Sequence, residues 1–68
     1  MTLFELMKID NITLEGKEIY ISNKSGASLI YCSDWNECKS KVGAGLIHKE
    51  IKSFDCSYSY VDFYLDIE

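Results

Sequence analysis

From Tyr60 to Glu68 apolar and polar positions alternate. Val61, Phe63, Leu65 and Ile67 fall on one parity, and Tyr60, Asp62, Tyr64, Asp66 and Glu68 on the other. A period of two marks a half-buried strand, so "YSYVDFYLDIE" predicts a closing strand with the first set inward. Earlier, "ITLEGKEIYI" holds two apolar-rich runs joined by Glu15-Gly16-Lys17, which predicts a hairpin. In its second arm Ile19 and Ile21 share one face and Tyr20 points to the other. "NKSG" is turn chemistry, with Gly26 free to take positive φ. "ASLIYC" is the next strand and "LIHKEIKSF" the one after, followed by a short turn near Asp55 to Tyr58.

Two segments carry helical signals instead. Thr2 with Glu5 has the form of a capping box, placing Leu3, Leu6 and Met7 on one side of a short opening helix. Ser33 or Asp34 can cap a helix through "DWNECKSKV", with Trp35 and Cys38 one turn apart and Gly43 and Gly45 ending it. The expected fold class is α+β: a small antiparallel sheet of about four strands packed with one or two short helices. Residues 1–68 read as a single domain without a linker.

Size sharpens this picture. A chain of 68 residues buries only roughly 60% of its unfolded surface, and domains this small often add a disulfide, a metal or a partner subunit. The 47% hydrophobic content is that of a globular chain. No apolar run reaches the roughly 20 residues that span a bilayer, and "MTLFELMKID" has no basic n-region, so neither membrane nor signal peptide is expected. The expected location is the cytoplasm, where thiols stay reduced, and an odd count of three cysteines agrees.

All three cysteines and the only histidine fall between Cys32 and Cys56, spaced Cys32-x5-Cys38-x9-His48-x7-Cys56. Each sits near an element boundary, and such boundaries can converge on one side of a small sheet. Cys32, Cys38, His48 and Cys56 would then form a closed Cys₃His structural zinc site, adding folding free energy to a marginal core. There is no CxxC knuckle, and the competing reading is three reduced cysteines in or near the core with an exposed histidine. A disulfide is the third option, disfavoured in the cytoplasm.

The net charge is –4, from eleven acids against seven lysines and no arginine. That disfavours direct nucleic-acid binding, which calls for a basic, arginine-bearing patch. Enzyme chemistry is not expected: nothing in the spacing demands a thiol–imidazole pair, and "VGAGL" lacks the lysine and serine of a phosphate loop. The outward set of the last strand instead offers a partner-binding surface of Tyr58, Tyr60, Asp62, Tyr64, Asp66 and Glu68, with Tyr20 on the same face. Tyrosine is favoured in interfaces as a large, rigid, amphipathic group. Carboxylates at every second strand residue stand about 6.5–7 Å apart, a spacing that permits mimicry of a nucleic-acid backbone. An ordinary solvated sheet face is the plain alternative.

Read together, "MTLFELMKI", "ITLEGKEIYIS" and "IHKEIKSFDCSYSYVDFYLDIE" resemble small proteins of phages and mobile elements in Gram-positive bacteria. Within that group the chain is similar to the small anti-CRISPR proteins that inhibit type II-A systems by binding Cas9. The resemblance implies a non-enzymatic inhibitor in the bacterial host cytoplasm that covers the basic surface of guide-loaded Cas9 and hinders target-DNA binding. The alternative is a small zinc-stabilised adaptor or regulator that binds another bacterial or phage protein. Short exposed edge strands also admit a homodimer.

Overall fold

The computed structural model describes residues 1–9, 14 and 16–68. Its elements in chain order are α1 (Leu3–Met7), β1 (Glu18–Ser22), β2 (Ser28–Cys32), α2 (Trp35–Lys41), α3 (Ala44–Ile47), β3 (Ile51–Cys56) and β4 (Tyr60–Leu65). The α+β class is as expected from the sequence. Most of the first arm of the expected "ITLEGKEIYI" hairpin, residues 12 and 13, lies outside the described residues. Its turn is described in part: Gly16 takes φ 79°, and the Lys17 N–H donates to the Leu14 carbonyl at 3.3 Å.

The four strands form one sheet in the order β2-β1-β4-β3. Strands adjacent in sequence pair antiparallel, β1 with β2 and β3 with β4, but the two central strands β1 and β4 run parallel. The sheet is therefore mixed, which corrects the purely antiparallel expectation. The cause is the connection between β2 and β3: it carries α2 and α3, and a helical crossover returns the chain to a strand running the same way. The hairpin signals fix each local pair but not how the pairs meet.

Every inward position of β1 and β4 behaves as its alternation requires. Ile19, Ile21, Val61, Phe63 and Leu65 are buried, and Leu3, Trp35, Cys38 and Val42 close over them. The chain thus has one covered sheet face, capped by the helices.

Helix α1 keeps its capping box: the Glu5 N–H donates to Thr2 Oγ1 at 3.2 Å and the Thr2 N–H to Glu5 Oε1 at 2.9 Å. Helix α2 is capped by Asp34, whose carboxylate accepts from the Glu37 N–H at 2.7 Å, while Glu37 accepts from the Ser33 N–H at 3.0 Å. Those donors, with the Ser33 hydroxyl first, pull the Glu37 carboxyl below its ordinary range. Asp34→Ala is expected to lose about 1 kcal/mol and lower the melting temperature by about 4–8 °C, read by circular dichroism.

The segment around Leu46 departs from expectation. Ala44–Ile47 is a single helical turn closed by the Leu46 and Ile47 N–H groups on the Gly43 carbonyl, and β3 starts only at Ile51. A short apolar run has no period long enough to separate helix from strand. Ahead of β3, Thr2 bridges Glu50, the Ile51 N–H donates to the Met1 carbonyl at 2.8 Å, and the N-terminal ammonium pairs with the Glu50 carboxylate. Among the described residues no helix is long and apolar enough to cross a membrane.

Candidate binding face of the sheet

The uncovered face is assembled from the residues that the alternation turns outward. They are Leu29 and Tyr31 on β2, Glu18 and Tyr20 on β1, Tyr60, Asp62 and Tyr64 on β4, and Ser53 and Asp55 on β3; Ser22 shares their parity on β1 but is itself buried. One lateral row reads Asp55, Asp62, Tyr20, Tyr31 across all four strands. The Tyr20 ring lies 5.2 Å from that of Tyr31 and 5.9 Å edge-on from that of Tyr60.

Hydroxyls, rather than ammonium groups, hold the carboxylates of this face. Tyr31 donates to Glu18 Oε1 at 2.6 Å, Tyr64 to Asp55 Oδ2 at 3.1 Å, and Ser22 to Asp62 Oδ1 at 2.8 Å. The ion pairs among the described residues lie elsewhere: Met1 with Glu50, Lys24 with Glu68, and Lys41 with Glu37. Asp55 and Asp62 stand directly opposite one another on adjacent strands. Like charges in that relation are destabilising, and no described cation offsets them.

The tyrosines answer to the same field. The hydrogen bond to Glu18, then desolvation and the Glu18 charge, push the Tyr31 hydroxyl up to about 12. The bond to Asp55 leads the same shift to about 12 at Tyr64. A phenol whose folded pKa is raised binds its proton more tightly than the unfolded chain does. Its contribution to stability is complete below about pH 10 and is lost as pH rises from there towards 12. Ultraviolet titration should therefore resolve two late-ionising tyrosines, and Tyr31→Phe and Tyr64→Phe should each remove one late step.

Of the outward residues expected from the sequence, Tyr60, Asp62 and Tyr64 lie on this face. Tyr58 is in the β3–β4 turn and fully exposed. Asp66 lies past β4, its N–H on the Glu50 carbonyl, and Glu68 pairs with Lys24 at 3.4 Å. Glu18, Tyr31 and Asp55 join the face without having been singled out. Alternation in β1 pointed to Glu18, whereas Tyr31 and Asp55 depend on which strands become neighbours.

The four candidate zinc ligands separate into a pair and two single residues. Cys32, ending β2, and Cys38, in α2, are fully buried and approach to 4.2 Å. Cys56 is exposed on β3, and His48 caps α3 with its ring 4.7 Å from that of Phe4. Cys32, Ile19, Val61 and Cys56 form one lateral row. Three strand spacings therefore put the two cysteines roughly 14 Å apart. A Cys₃His zinc site would need the Cys56 edge of the sheet brought against the Cys32 edge. Among the described residues no three histidine, cysteine or acidic side chains are grouped as metal ligands.

On the covered side, Leu6, Leu14, Phe54, Val61 and Phe63 line an open apolar groove of about 400 Å³ that Cys56 also borders. The described lining holds no histidine or carboxylate to serve as a base for that thiol. The chain matches no family model, no curated protein and no solved structure.

Proposed function

We propose that this is a non-enzymatic binding protein whose open acidic, tyrosine-rich sheet face occupies a basic, nucleic-acid-holding surface of a protein partner. Guide-loaded Cas9 is the named candidate, from the resemblance noted in the sequence, and the consequence is exclusion of target DNA. The observation that carries the reading is the Asp55–Asp62 pair, set beside Glu18 with hydroxyl donors and no described cation. Directly opposed side chains stand about 5 Å apart and diagonal ones, such as Glu18 and Asp62, about 8 Å. That presents closely spaced negative charge of the kind a nucleic-acid backbone presents. Cas9 holds its heteroduplex and displaced strand in positively charged channels, which is the complementary surface. The tyrosine rings supply rigid apolar area between the charges. The binding surface uses no metal.

The test is target-DNA binding by guide-loaded Cas9 with the protein added before the DNA. Loss of DNA binding that is relieved steeply by salt is the expected outcome. Unchanged DNA binding together with no capture of Cas9 would remove Cas9 as the partner. Inhibition insensitive to salt would move the contact from the carboxylates to the tyrosine rings.

A further inference from the structure

The Cys32–Cys38 pair lies on the covered side of the sheet, takes no part in the acidic face, and can be judged independently of it. Both cysteines are fully buried and they approach to 4.2 Å. They join the end of β2 to the middle of α2 across the Ser33–Asp34 turn.

We propose that Cys32 and Cys38 form a two-coordinate thiolate site for a soft monovalent cation, copper(I). Thiolate sulfur is the ligand such a cation selects. At 4.2 Å the pair is close enough to share one ion with bonds of about 2.3 Å. Cys56 is at the far sheet edge and His48 packs on Phe4, leaving no described third ligand, so the site offers two. Zinc, which takes four ligands in closed sites, is poorly served here.

Loading replaces two S–H bonds with two copper–sulfur bonds and releases two protons, with no change of oxidation state. The product carries one negative charge. Lys41, whose ammonium donates to the Tyr31 carbonyl beside Cys32 at 2.9 Å, is the cation placed to offset it. Because both cysteines are fully buried, loading should be slow.

The experiment titrates the reduced full chain with copper(I), without oxygen, against the chelator bathocuproine disulfonate. One equivalent should leave the chelator, two protons should be released, and a near-ultraviolet thiolate-to-copper band should appear. Cys32→Ala and Cys38→Ala should each weaken binding by about 100-fold or more and abolish the band, while Cys56→Ser should retain both. Circular dichroism establishes that the alanine variants fold. If they do not, Cys56→Ser decides alone, because it retains the buried pair and lacks the exposed thiol. Copper that follows Cys56, folded alanine variants that bind normally, a Cys32–Cys38 disulfide formed in place of the complex, or no copper drawn from the chelator would each overturn the proposal.

Discussion

Replacing Asp55 and Asp62 together by asparagine is expected to move two quantities in opposite directions. The free protein should become more stable, because the two carboxylates face each other across β3 and β4 without a described cation. Relief of one directly opposed like-charge pair is worth about 0.2–1 kcal/mol, or a rise of about 1–8 °C in a domain this small. Asparagine keeps a side-chain oxygen at both positions, so Tyr64 and Ser22 retain their acceptors. Partner binding should fall instead. If each carboxylate meets one cation at about 1.5 kcal/mol, the double variant loses roughly 100-fold in affinity. Thermal melts and competition for guide-loaded Cas9 measure the two effects on the same samples. A variant that binds as tightly as the parent would show that the charge is only a solvated surface. One that melts lower would show that the carboxylates support the fold.

The second large effect concerns stability alone. Trp35 is 6% exposed, packs its ring 6.3 Å from that of Phe63, and has a buried Nε1–H without a partner among the described atoms. Trp35→Ala should cost about 3–5 kcal/mol. A core this small rarely supplies more than about 3–5 kcal/mol in total, so the variant should be largely unfolded at 25 °C. Trp35→Phe should differ sharply. It removes some packing, but also a polar group whose buried and unsatisfied state costs about 1–3 kcal/mol. Its urea midpoint should stay near that of the parent. Two variants that unfold alike would mean that the indole nitrogen has a partner, such as an ordered water.

The parts of this protein legible in its sequence are those decided within a few residues. Thr2 and Glu5 cap α1 as their spacing required, Asp34 caps α2, and the alternation through Ile19, Ile21, Val61, Phe63 and Leu65 marks the buried sheet face. The strand expected at Leu46 to His48 became a helical turn because a short apolar run carries no decisive period. Likewise, Cys32, Cys38, His48 and Cys56 are neighbours along the chain, but spacing says nothing about which sheet edge each occupies. The order β2-β1-β4-β3 places the first and last of them at opposite edges.

The binding face divides in the same way. That Tyr60, Asp62 and Tyr64 point away from the core follows from side-chain alternation, a local property of any strand. That Asp55 stands opposite Asp62 and that Tyr20 lies between Tyr31 and Tyr60 was decided only by the parallel docking of β1 on β4 and the registers of the outer strands. Backbone geometry and burial set which face a residue takes. Which residues become neighbours on that face depends on pairing between segments some 40 positions apart, and no local period encodes that pairing.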